Sequence, residues 1–178
     1  MAYGLDQFCG DLTRILKAEG TSGLTAIAGK LQQLLVDQAF VAATFSDDTP
    51  PGKRELFHDH ETDAHVLAHV HAAGGHGTPH SHGSSWAIYG NARGFTEMTE
   101  WQRLNPQSDE HAELAVRDKY VLGLGQARAY GPHVMHSTAH PEKAWVIRIT
   151  GTDLSTVSRF RFRPDRDRIV EDAGGAGR

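Results

Sequence analysis

The chain has 178 residues, 39% apolar and 22% charged, with a formal net charge of −4, which fits one globular domain and argues against nucleic acid as a partner. Its single cysteine, Cys9, excludes an intrachain disulfide and any multi-cysteine metal site. No apolar run approaches the ~18 residues of a membrane-spanning helix, and no basic-then-apolar leader opens the chain, so no membrane association and a cytoplasmic home are expected.

Residues 4–41 read as helical. Leu5, Phe8, Leu12, Ile15 and Leu16 recur at helical spacing, and Gly20-Thr21-Ser22-Gly23 ends that first helix. A second helix is expected over 24–42, with Leu31, Leu34, Leu35 and Phe40 on its apolar side. Cys9 lies next to the first apolar stripe and reads as a small packed residue rather than a nucleophile. The turn Asp47-Asp48-Thr49-Pro50-Pro51-Gly52 then marks a change of character.

From Arg54 onward the pattern is strands and turns. His65, His69 and His71 share one face of the first such segment. Segments 86–90 and 94–101 read as a hairpin joined by Asn91-Ala92-Arg93, and further strands are expected near 112–122, 127–130, 144–150 and 156–162. In 144–150, either Val146, Arg148 and Thr150 or Trp145, Ile147 and Ile149 face the core. Seven or eight strands without an intervening helix predict a sandwich or barrel with the helices packed outside. The division expected is N-terminal helices over 1–45, a barrel over 46–163 and a solvated, flexible tail over 164–178.

All twelve histidines fall between His58 and His140. His80-x-His82 would aim two imidazoles from one strand at one ion, because residues two apart share a face. A second group, His133, His136 and His140, lies in the segment 132–140. Two His-bearing segments beside glycine turns and apolar strands can assemble a metal site. The remaining histidines (His58, His60, His65, His69, His71, His76, His111) read as solvent-facing or hydrogen-bonded strand residues.

Gly74-x₅-His80-x-His82, followed by an apolar strand and Gly94, resembles the first motif of the cupin superfamily, and 132–140 resembles the second. His76-Gly77-Thr78-Pro79-His80-Ser81-His82-Gly83-Ser84-Ser85-Trp86, with two helices ahead of it, is similar to the cysteine dioxygenase (thiol dioxygenase) type. The resemblance covers roughly residues 30–160. It implies a mainly β, cupin-like double-stranded β-helix (jelly-roll) barrel carrying N-terminal α-helices. His80 and His82 match the first two ligands. His136 matches the third, with His133 and His140 as rivals. The glutamate that most cupins place shortly after the second histidine is missing: Trp86 and Ala87 stand there, which favours a three-histidine site. Trp86 is then expected to fill space beside the metal, and Tyr89, Tyr130 and Trp101 to wall the pocket, with a tyrosine such as Tyr89 supplying an acid.

Arg54, 26 positions ahead of His80, matches the arginine with which cysteine dioxygenase grips its substrate carboxylate. A planar guanidinium suits that task. The chain departs from the family elsewhere. The family's Ser, His and Tyr at alternate strand positions match Val146, Arg148 and Thr150, and its crosslinking cysteine matches Ala87. Arg148 is therefore a second candidate anchor for a distal carboxylate, or an ion-pair partner of Glu97. Glu97 and Glu100 read as solvated.

Three neutral imidazoles leave a divalent ion its full charge and favour an anionic, chelating substrate. The expected activity is an Fe(II) dioxygenase of a small anionic substrate, a thiol acid or an enolisable acid or diketone, with dioxygen as co-substrate. Zn or Ni would suit a non-oxidative lyase or isomerase, and a metal-binding sensor without turnover is a third class. A homodimer is common for barrels of this size.

Overall fold

The computed structural model describes residues 3–163 apart from Gln107 and Glu110, together with the strand Arg168–Asp172. Among the described residues no helix is long and apolar enough to cross a membrane. Helix α1 (Leu5–Glu19) ends at Gly20, whose φ of 57° suits glycine, and a short tight turn leads into α2 (Leu24–Leu35). The second helix expected over 24–42 is two helices. The chain breaks at Val36 and Asp37, and the Asp37 carboxylate accepts a 2.8 Å bond from the Phe40 amide to start α3 (Gln38–Thr44). Aspartate is a strong N-cap, so the helix restarts there.

The strands form two facing antiparallel sheets. The five-stranded sheet runs β1 (Gly52–Asp59), β2 (Ala64–His71), β9 (Ala144–Thr150), β4 (Ala87–Arg93), β7 (Ala127–Tyr130). The four-stranded sheet runs β3 (Gly75–His76), β8 (His136–His140), β5 (Thr96–Arg103), β6 (Leu114–Leu122). A ribbon of β10 (Arg159–Arg163) and β11 (Arg168–Asp172) stands beside them. The expected tail over 164–178 thus contains a paired strand; its other residues lie outside the described ones. The hairpin expected between 86–90 and 94–101 does not form. β4 pairs with β7 and β9, whereas β5 pairs with β6 and β8, so the chain crosses between sheets at Gly94. Gly94 sits at φ 65°, and a Cβ there would lie 2.7 Å from the Lys143 carbonyl oxygen.

Alternation divides the five-stranded sheet. Val66, Ala68, Val70, Ile88, Ile147 and Ile149 face outward and are buried under Phe8, Leu12, Ile27, Leu31 and Leu35 of the first two helices. Gly90 lets α2 approach: a Cβ there would stand 2.5 Å from Leu35 and 2.9 Å from Leu31. The inward residues Ala87, Tyr89, Tyr130, Ala144 and Val146 meet Met98 and Leu122 of the other sheet. Cys9 belongs to the outer, helix-covered core, and burial pushes its thiol up to about 12, which leaves it inert as a nucleophile.

Candidate metal centre

The His80–His82 segment is held extended without belonging to a regular strand. On one side His80 and His136 exchange two backbone hydrogen bonds of 2.9 Å. On the other, the Ser81 amide donates to the Phe160 carbonyl at 2.9 Å and the Phe162 amide to the Pro79 carbonyl at 2.8 Å. The histidine pair is therefore clamped between β8 and β10. Gly83, at φ 60°, closes the segment; a Cβ there would fall 2.1 Å from the Ser158 carbonyl oxygen.

This clamp brings His80, His82 and His136 together, with one ring nitrogen from each lying within 4.8 Å of the others. Ring centroids are 5.4 Å apart for His80–His82 and 4.8 Å for each of them to His136. Among the described residues no carboxylate joins the group. Neither rival ligand does. His133 is exposed at φ 63°, and His140, four residues further along β8, stacks on His71 at 3.9 Å.

The donor set fits a metal ion. Nδ1 of His80 is 3.0 Å from the Thr78 carbonyl oxygen and Nδ1 of His136 is 3.3 Å from that of Val134. A carbonyl only accepts, so each Nδ1 carries the proton and each Nε2 presents a lone pair. Nε2 of His136 is buried without a hydrogen-bond partner, a costly orphan that an ion would satisfy. Nε2 of His82 meets the Tyr89 hydroxyl at 3.2 Å. All three imidazoles are held in the neutral, ligating form. Burial lowers the proton affinity of each, and the neighbouring rings and Arg148 lower that of His82 further. His136 falls to about 3.

Arg148 faces inward on β9, so the open alternation of that strand resolves in favour of Val146, Arg148 and Thr150. Its guanidinium lies at the Tyr89 hydroxyl and depresses the imidazoles of the centre; its Nε is buried without a hydrogen bond. Arg148 also lines a cavity of about 400 Å³ together with Lys53, His69, Thr150 and Arg159. Among the described residues it makes no ion pair with Glu97.

Three expectations are corrected. Arg54 pairs with Ala68 across β1 and β2, shares the outward face, and donates to the Thr44 carbonyl at 2.9 Å, away from the centre. Trp86 precedes inward Ala87 by one residue, so its side chain packs in the helix-covered core and not beside the histidines. Trp101 lies on the outer side of β5 and donates to the Ser137 hydroxyl at 2.9 Å. Tyr89 and Tyr130 do wall the centre, with ring centroids 5.6 and 4.8 Å from that of His136.

One buried group contradicts the expected solvation. Glu100 is 3% exposed, lies across from His136, and is held by Arg117 at 2.9 Å, Arg128 at 3.0 Å and the Tyr120 hydroxyl at 2.9 Å. Its alternation with Thr96 and Met98 is the signal that marks it as inward. His69 and His71 also turn inward rather than to solvent, because they share the face of Arg148 across the β2–β9 register.

The strand order gives the two-sheet, mainly β architecture expected of a double-stranded β-helix. It is built as two facing sheets rather than a closed barrel. No family model matches the sequence, and no curated protein does. Among solved structures, the chain is similar to a cupin superfamily protein from Desulfitobacterium hafniense (12% identity, 63% of this chain and 86% of that one, TM-score 0.44). It is similar to KdgF from Halomonas sp. (19%, 63% and 91%, 0.44) and to an oxalate oxidase in complex with the substrate analogue glycolate (16%, 63% and 57%, 0.42). The likeness is loose.

Proposed function

We propose that this chain is a metal-dependent oxidoreductase: an Fe(II) dioxygenase, similar to the thiol dioxygenases, that acts on a small anionic substrate with dioxygen as co-substrate. The observation that carries the reading is the convergence of three neutral imidazoles beside the inward guanidinium of Arg148. His80, His82 and His136 would hold the ion, and iron bound there supplies redox chemistry while keeping its full 2+ charge against three neutral donors.

The other residues bind and orient. Arg148, reached through the cavity that it shares with Lys53 and Arg159, holds the substrate carboxylate by charge-assisted hydrogen bonds; its Nε has no competing hydrogen bond. It takes the anchoring role expected of Arg54. Burial raises the Tyr89 pKa, so its hydroxyl stays protonated and presents a donor to an anionic substrate atom. Ala87, Met98 and Val146 keep water from the inner wall. Thiol acids fit this arrangement, as do enolisable acids and diketones, since each offers an anionic chelating group.

An oxygen electrode tests the proposal. Iron-loaded protein should take up oxygen with a carboxylate-bearing thiol acid or diketone. Arg148→Gln should raise KM about 10- to 100-fold, the range for losing a hydrogen bond to a charged group. Turnover without oxygen uptake in Zn- or Ni-loaded protein would overturn it in favour of a lyase or isomerase.

A further inference from the structure

We infer that the β1–β2 hairpin carries a second metal site, formed by His58, Asp63 and His65 and suited to a borderline divalent cation of the zinc, nickel or copper group. One ligand atom from each of the three lies within 4.8 Å of the others. His58 and His65 are cross-strand partners, so the sheet itself sets their spacing. Asp63, in the connecting turn, holds φ at 60°, a conformation that a non-glycine residue adopts at a cost. Its Oδ2 accepts the Thr152 hydroxyl, which leaves Oδ1 facing the imidazoles, 3.0 Å from Nε2 of His58 and 3.8 Å from Nε2 of His65.

The outer contacts are those of a ligating histidine. Nδ1 of His65 lies 2.7 Å from a Glu55 carboxylate oxygen. The carboxylate accepts, so the proton sits on Nδ1 and the Nε2 lone pair is turned to Asp63, the arrangement by which carboxylates orient metal-bound imidazoles. The two rings stack at 4.0 Å and 12°, and Nε2 of His58 donates to Asp63 Oδ1 through a proton that a bound ion would displace. To converge on one ion, the partly exposed His58 ring turns about its side-chain bonds while the main chain stays in place. His60, with its ring 4.4 Å from that of His58, or water completes the coordination. Two nitrogens and one carboxylate select the nitrogen-preferring divalent ions over magnesium or calcium. Glu55 and His65 also line the cavity that reaches Arg148, so the ion would sit at the rim of that cavity.

Zinc titration of the full-length protein against a chromophoric chelator tests this independently of the three-histidine centre. The native chain should bind two equivalents. Asp63→Asn keeps a residue tolerant of φ near +60° and should lose one equivalent, as should His58→Ala; His82→Ala should lose the other. Glu55→Gln should retain the site about 10- to 100-fold weaker, the usual effect of removing an outer-shell partner. Two equivalents retained in both Asp63→Asn and His58→Ala, or a native stoichiometry of one that only His82→Ala removes, would overturn the second site. A single equivalent lost in Asp63→Asn but not in His82→Ala would support the hairpin site and count against the inner centre.

Discussion

The two faces of the five-stranded sheet are made by the same strands yet do different work. On β9, Ile147 and Ile149 are fully buried beneath the helices, while Val146, Arg148 and Thr150 turn to the interior that holds the histidines. Apart from Arg54 and Asp59 on β1, the helix-covered part of the outer face is apolar and is stabilised by area removed from water. The inner face mixes Ala87 and Val146 with Tyr89, Arg148, His69 and His71. A one-residue register slip would exchange the two sets. Strand alternation thus separates what holds the fold from what equips the centre, and the helices exist to cover one face so that the other can be polar.

That separation can be broken from either side. The largest expected effect is on the inner face: His136→Ala should abolish metal retention at the three-histidine centre with little loss of helix content, checked by metal analysis and circular dichroism. On the outer face, Leu31→Ala should destabilise by about 2–5 kcal/mol, the range for large-to-small core changes. It should leave metal stoichiometry intact, and urea unfolding of the metal-free protein reads the loss. Gly90→Ala, on the same helix-covered face, overpacks α2; it should cost about 1–3 kcal/mol in the same assay.

Acid should expose the inner face specifically. Burial, followed by the nearby Arg148 charge, depresses His69 to about 2, and burial followed by the neighbouring His140 depresses His71 to about 4. Both folded values lie below the ~6.5 of an unfolded histidine, so below that pH the unfolded chain binds more protons than the folded one. Stability of the metal-free protein is therefore complete above pH ~6.5 and declines as pH falls from there, to about 4 for the His71 contribution and on to about 2 for that of His69. His69→Gln should flatten the decline, measured by melting temperature against pH. The smallest effect belongs to Arg54→Ala, which should leave KM unchanged where Arg148→Gln raises it, because Arg54 points to α3.

Much of this was legible in the residues. Helical spacing located α1, and the His-x-His stretch with 132–140 located the centre. Alternation alone left the inward face of β9 open, since Val-Arg-Thr and Trp-Ile-Ile are both compatible with a strand; the helix cover decides it. Trp86 was misplaced because the matched cupin position does not carry the register: one residue separates inward Ala87 from outward Trp86. Arg54 failed for the same reason, since its offset from His80 says nothing about which face of β1 it occupies. The β4–β5 crossing was hidden by a three-residue connection that looks like a hairpin, and only the partners of each strand distinguish the two. Glu100 was readable from its alternation with Met98, whereas its Arg117 and Arg128 partners come from the next two strands, one in each sheet, whose registers the sequence does not show.

The central claim is tested most directly by X-ray absorption at the iron edge on protein loaded anaerobically with one equivalent of Fe(II). Three imidazoles in the outer-shell scattering of the native chain, and loss of that iron signal in His136→Ala loaded the same way, are the predicted result. Identical scattering from the native chain and the variant would contradict it.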